Sequence, residues 1–175
     1  NTINFEFIKG RLKTRYYSSS PPAAARYFKN LYLESPSNEN KYAYISALKG
    51  NGEAEEAIKL INEMLEKFPK NLILNITKSE IFLYEQRLDD ALKDINKVLN
   101  ISPKNYPASI IKSKILSAQK ETIKAEEILR DLLINKNRDP SLWLQLSEVQ
   151  RAGKNIIGYH LSRGEYLMLL GDFEN

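Results

Sequence analysis

Three stretches, EAEEAIKLINEMLEKFPKN (53–71), RLDDALKDINKVLNISPKN (87–105) and ETIKAEEILRDLLINKNRD (121–139), align with one another without a gap. Ala57, Ala91 and Ala125 are therefore evenly spaced; Pro69 and Pro103 keep the same interval, each followed by Lys-Asn. Ile61, Ile95 and Leu129 share one slot, and Leu65, Leu99 and Leu133 another. A constant period with matched residues in every copy marks supersecondary units that bury their apolar sides by stacking on neighbours.

Each copy reads as an amphipathic helix. In the second, Leu88, Ala91, Leu92, Ile95, Val98 and Leu99 recur at three- and four-residue spacing and leave Asp89, Asp90, Lys93 and Lys97 outward. The proline then stops the helix, because it lacks an amide proton and disfavours a helical predecessor. The asparagine two residues on suits the cap of the next helix. Upstream of each alanine the pattern predicts a partner helix, over 39–50, 71–84 and 106–118. Ser79 and Ser113, small residues facing Ala91 and Ala125, would let the paired backbones approach closely.

The pattern runs on in both directions. Ala23 lies one full period before Ala57, inside PPAAARYFKNLYLESP (21–36), with Ser20 as cap, Pro21 in the first turn and a partner helix over 4–17. DPSLWLQLSEVQRAG (139–153) opens a fifth unit after a register slip of about three residues at Lys136–Pro140, and a last helix follows over 155–170. The predicted fold is all-α, an α–α superhelix of about five antiparallel helix pairs (3–36, 38–69, 71–103, 105–137 and 139–171) forming one repeat domain over 1–175.

Composition removes several functions. Apolar residues are 42% and charged residues 27%, ordinary for a packed chain, and no apolar run approaches a membrane span. Without cysteine there is neither a disulfide framework nor a thiolate metal site. The single histidine, His160, cannot build the two-histidine zinc helix of a metallopeptidase, and it reads as a packed or surface residue. Carboxylates such as Glu53, Glu55, Glu56, Asp89 and Asp90 fall at helix starts, where they suit the helix dipole. No catalytic, metal or cofactor site is expected in this chain. Net charge is +4, and residues 1–50 carry eight Lys and Arg against three Asp and Glu. That excess could attract an acidic partner or nucleic acid, but there is no dense basic run. A base-reading helical repeat needs polar inner slots, which Ile8, Tyr42, Ile76 and Ile110 oppose.

A helix–turn–helix unit of about 34 residues, with Ala in its second helix and Pro at its end, resembles the tetratricopeptide repeat. Trp143, Leu146 and Ser147 match it; Ile45, where a small residue is usual, and Gln86 and Lys120, where the turn often has glycine, depart from it. The ends carry a narrower resemblance. The opening NFEFIKGRLKTRYY, then KYAYISALKGNGEAEEA, and a close with Trp143-x-x-Leu146-Ser147, Arg163-x-Glu165-Tyr166 and Leu169-x-Gly171-Asp172 look like the C-terminal repeats of bacterial M48-family zinc metallopeptidases of the outer-membrane β-barrel assembly-enhancing type. That likeness implies a periplasmic parent with its zinc site upstream of Asn1, and repeats that engage the barrel-assembly machinery and unfolded clients. The start at Asn1, without a methionine or a leader-like segment, reads as a piece of a longer protein. A free-standing adaptor of another assembly or secretion machine is the alternative.

By the same resemblance, the first helix of each pair lines an inner, partner-binding face. Its exposed slots are expected to hold Phe5, Ile8, Leu12 and Tyr16; Tyr42, Ser46 and Lys49; Ile73, Ile76, Glu80, Leu83 and Tyr84; Ile110, Lys114 and Ser117; and Leu144, Glu148 and Arg151. Such a wall suits an extended or helical apolar segment of another protein. It cannot form the Lys/Asn/Arg clamp that chaperone-tail adaptors use, since those slots hold Tyr42, Ser46, Thr77, Pro107 and Ile111. The run Tyr166–Leu170 surrounds its helix rather than striping it. It is expected to be covered on more than one side, by further chain, by the absent protease domain or by a second copy.

Overall fold

The computed structural model describes residues 2–17 and 20–171. Among the described residues ten α-helices run in order: α1 (Thr2–Arg15), α2 (Pro21–Glu34), α3 (Asn38–Asn51), α4 (Ala54–Lys67), α5 (Leu72–Tyr84), α6 (Leu88–Ile101), α7 (Tyr106–Ala118), α8 (Thr122–Asn135), α9 (Pro140–Ala152) and α10 (Ile156–Leu170). The same residues hold no strand. The chain divides into two compact units, Asn1–Arg87 and Leu88–Asn175.

The period is written most regularly where helices start and turn. Ser37, Asn71, Asn105 and Asp139, each one period after the last, cap α3, α5, α7 and α9. Their side-chain oxygens accept from the amides of Asn40, Leu74, Ala108 and Ser141 at 3.0–3.1 Å, satisfying donors that a helix start leaves orphaned. Gly52, Gln86, Lys120 and Lys154 keep the same interval and all have positive φ, at 78°, 58°, 66° and 59°. One residue after each, an amide reaches back five positions to a carbonyl, as in Glu53 to Leu48 (3.0 Å) and Glu121 to Leu116 (2.8 Å). This is the bond of a left-handed helix stop. The turn therefore keeps its shape where glycine is replaced.

These markers correct two expectations of register. Asp139 and the buried Ser147 stand one full period beyond Asn105 and the buried Ser113, so there is no slip at Lys136–Pro140. Phase shifts instead in the second helices of the outer pairs. In α2 it is Phe28 that is buried, one position nearer Ile61 than the period would place it, while Tyr27 is exposed and Ala23 only half-buried. In α10 the buried Gly158 and Ser162 likewise fall one position short of a full period after Ala125 and Leu129. Ser20 holds the cap position of α2 without a side-chain bond, and Pro21 and Pro22 fill the first turn.

In the first unit both α1 and α2 pack on α3, which next contacts α4. Accordingly α3 buries residues all round: Tyr42, Ala43, Ile45 and Leu48 join Phe7, Phe28, Ile61 and Leu74 in one core. Gly10 sets the approach of α1, since a Cβ there would stand 2.6 Å from the carbonyl oxygen of Glu39. Ion pairs from Lys9 and Lys13 to Glu39 flank that contact. In the second unit Leu129 and Leu133 of α8 pack with Leu142, Leu146 and Val149 of α9. The tail of α10 is not covered within the described residues: Met168, Leu169 and Leu170 are exposed. Asp172 and Phe173, at the end of the closing motif, lie outside the described residues.

Candidate protein-binding face

The residues expected on an inner face divide into an exposed apolar stripe, a polar stitch and a set of core residues. On α1 and in the turn just after it, Phe5, Ile8, Leu12 and Tyr16 follow one another at three- and four-residue spacing and are all exposed, Tyr16 to 79%. The opposite side of the same helix buries Phe7 and Gly10 against α3. The helix is therefore apolar on two sides, and only one has a partner among the described residues. Tyr84, at the end of α5, is 73% exposed.

Tyr42 and Ile76 are corrections. The sequence places both in exposed slots of the face; Tyr42 is wholly buried and Ile76 is 6% exposed. The reason for Tyr42 is visible in its hydroxyl, which lies 2.7 Å from Thr77 Oγ1 and accepts from Arg11 at 3.0 Å. Arg11 also donates to Thr77 Oγ1 at 3.0 Å, and Thr77 donates onward to the carbonyl of Ile73. With its hydroxyl satisfied, the ring packs in the core, its centroid 5.2 Å from that of Phe7 and the two planes tilted by 35°. Glu80 and Lys49 also hold each other, with Nζ 2.5 Å from the carboxylate and the Arg11 guanidinium at 3.8 Å. Helices α1, α3 and α5 are thus stitched on one side by Arg11, Tyr42, Lys49, Thr77 and Glu80, bonds worth most where water is excluded. Arg11 gives no signal in the sequence, because a lone arginine between two stripe residues looks like ordinary solvated surface.

In the second unit, Ile110 and Leu144 are half-buried, and Ile110 packs against the Leu129–Leu142 cluster. Gln145 donates to the Ile110 carbonyl and to Ser113 Oγ, tying α9 to α7 at 3.2 and 2.8 Å. Lys114 is exposed; Arg151 is exposed and pairs with Glu148 on its own helix at 2.5 Å. Ser46, Ile73, Leu83 and Ser117 are half-buried and Glu148 is exposed.

Several carboxylates are held below their ordinary pKa by direct bonds: Glu39 by Lys13 and Lys9, Glu63 by Lys41, and Asp139 by the hydroxyls of Ser141 and Tyr106. Burial pushes the Tyr44 phenol up, and its bond to Glu56 adds to that. All of these are ties between helices or at caps. His160 is exposed with its ring 5.0 Å from that of Tyr159. Among the described residues no group of three or more His, Cys, Asp or Glu is placed to hold a metal ion. No described helix is long and apolar enough to cross a membrane.

Repeated caps, repeated left-handed turns and helices of near-equal length define an all-α helical repeat of the tetratricopeptide type. Solved structures agree. A TPR protein from Thermus thermophilus superposes with a TM-score of 0.78 at 19% identity, over 96% of this chain and 93% of that one. A tetratricopeptide repeat protein from Parabacteroides merdae gives 0.68 at 16%, over 97% and 73%. MamA (41-end) from Desulfovibrio magneticus RS-1 gives 0.65 at 15%, over 95% and 94%. At these identities the likeness is one of fold. No family model matches the sequence, and no curated protein matches it.

Proposed function

We propose that the chain is a protein-binding module whose α1 stripe receives an apolar segment of another protein. The observation that carries this reading is Phe5, Ile8 and Leu12, with Tyr16 just past the helix end, large side chains exposed in line along a helix whose other side is already packed. A contiguous apolar patch is costly to leave in water and marks interaction sites on soluble domains. A helix-spaced set of anchors fits the groove-and-helix mode of peptide recognition. The basic residues around it, Lys9, Arg11 and Lys13, are partly engaged with Glu39 and Glu80, which leaves apolar contact as the main source of affinity.

A narrower proposal concerns the parent. The closing residues Trp143, Leu146, Ser147, Arg163, Glu165 and Tyr166 support placing the module in a periplasmic M48-family metallopeptidase of outer-membrane assembly. Its partners would be the barrel-assembly machinery and unfolded clients. A His-Glu-x-x-His helix encoded upstream supports that parent; its absence supports a free-standing adaptor. The module itself is tested by photo-crosslinking in cells from Ile8 and Tyr84, with Lys59 on an outward face as control. A protein captured from Ile8 and lost in Phe5→Asp/Tyr16→Asp supports the assignment. Equal capture from Lys59, or none from Ile8, overturns it.

A further inference from the structure

The two units treat one slot differently. In the first, α3 is tied to α4 by the ion pair Lys41–Glu63 at 2.5 Å and by the Tyr44 hydroxyl on Glu56 at 2.9 Å. Two repeats later, in the second unit, the residues at those positions of α7 and α8 are Ser109 opposite Asp131 and Lys112 opposite Lys124. Neither tie can form: serine is too short to reach, and two lysines repel. In place of the ties lies a cleft of ≈ 470 Å³ between α6 and α8, over α7, with Leu99, Ile128 and Leu132 as apolar wall. A second hollow of ≈ 360 Å³ continues it and shares Lys112 and Ile128 with the first, reaching Leu92.

The trough is polar along its length. At the Pro103 end stand Lys104 and Lys136, with Lys112 midway. Among the described residues none of these three has a carboxylate within ion-pair distance, nor has Asp131 a cation; Lys136 rests over the Tyr106 ring. At the far end Glu121, the residue before α8, is paired with Lys124 in its first turn, which leaves Glu127. Three unpaired ammonium groups against the single carboxylate of Asp131 leave this part of the cleft net positive beside its apolar wall, the complement of a segment carrying acids at one end and aliphatic residues behind them. From Leu92 to Leu99 the wall is about 10 Å long at about 1.5 Å per residue, the length of two helical turns.

We propose that this trough is a second binding site, and that its occupant is a short amphipathic helix of a partner protein with its acidic end over Lys104 and Lys136. It deepens the protein-binding reading and rests on it, but it uses other residues: α7 gives Ser109, Lys112 and Leu116 to the trough, whereas Ile110, Lys114 and Ser117 do not line it. The unpaired lysines set direction as well as affinity, since a helix docked the other way would bring its acids to Glu127.

The test is fluorescence anisotropy on the whole chain with a labelled peptide of about twelve residues. It carries leucine and phenylalanine at helical spacing, acids at its N-terminal end and a lysine near its C-terminal end; a charge-inverted copy is the control. The acidic peptide is expected to bind, to weaken as salt rises, and to lose about tenfold in affinity in Lys104→Glu/Lys136→Glu, whose sites are exposed and leave the fold intact. Ser109→Lys/Lys112→Tyr/Lys124→Glu, which restores the ties of the first unit, should also abolish binding; circular dichroism checks that it folds. Equal binding of both peptides, no binding of either, or an unchanged affinity in Lys104→Glu/Lys136→Glu overturns the proposal. Crosslinking from Ile8 reports separately on the α1 stripe, so the trough can fail while the module reading stands.

Discussion

Gly10 and Gly164 offer one substitution with two opposite outcomes. Both lie inside helices, α1 and α10, and at neither is φ positive, so Gly→Ala at each gains the same helix propensity, about 0.8–1 kcal/mol. At Gly164 a Cβ meets nothing within 4 Å, and the gain should appear in full. At Gly10 the new atom would stand 2.6 Å from the Glu39 carbonyl oxygen, 3.1 Å from the Ala43 nitrogen and 3.3 Å from Tyr42 Cδ1. Two of those three atoms are backbone of α3, so no rotamer change relieves them. Helix α1 must move out by about 0.8 Å, a gap that forfeits a quarter to a half of the dispersion well for each atom pair along the seam. Overpacking of this kind costs about 1–3 kcal/mol; less the propensity gain, G10A should gain nothing and lose up to about 2 kcal/mol. The assay is denaturant unfolding of wild type, G10A and G164A, with hydrogen exchange of α1 read by mass spectrometry. Expected are faster exchange in α1 for G10A and a higher midpoint for G164A. If G10A raises the midpoint as G164A does, the close approach of α1 to α3 is not what fixes this packing.

Other outcomes follow from the caps, the stitch and the ion pairs. Lys120→Gly should stabilise by about 0.5–1 kcal/mol, because it relieves a side chain held at positive φ; thermal melting checks it, and a loss would mean the lysine side chain is holding the turn. Tyr42→Phe should cost about 1–2 kcal/mol by leaving Thr77 and Arg11 short of a partner, while adding Thr77→Val should cost little more. Chemical denaturation of the two single variants and the double reads that coupling. Glu39 is held below its ordinary pKa by Lys13 and Lys9, so its contribution is full above the unfolded value near pH 4.5 and is lost as pH falls through the folded one. The lysines are half-exposed, so about 0.5 kcal/mol is at stake. Glu39→Gln should flatten the acid limb of a stability-versus-pH curve by that amount and leave neutral pH the lower for it.

Much of the fold could be read from the chain because the period lives in residues whose roles are local. Prolines at 69 and 103 end helices wherever they stand, and Asn71 and Asn105 cap by their own side chains. The phase of α2 was not legible. PPAAAR offers three alanines in a row, and only packing against α3 selects Ala25 and Phe28 as the buried pair. The exposure of Phe5, Ile8, Leu12 and Tyr16 was legible only through the tetratricopeptide likeness, which assigns those slots to an exposed face. Tyr42 was not: its position on an inner helix said surface, while its burial depends on Arg11 and Thr77, residues far from it in sequence. The trough was hidden for a related reason, since it arises from bonds that two positions fail to make.

Arrays of helical repeats are usually thought of as dominoes, each leaning only on the next. Asn71, the cap of α5, reaches Asn4 of α1 at 2.7 Å, and Arg11 of α1 reaches Thr77 of α5, so these two helices bond directly although α3 comes between them in the chain. Helices α1, α3 and α5 are therefore buckled together rather than queued. Fraying at the amino-terminal end should be felt at α5 without passing through α3, and the first unit should melt in one step where a chain of dominoes would peel.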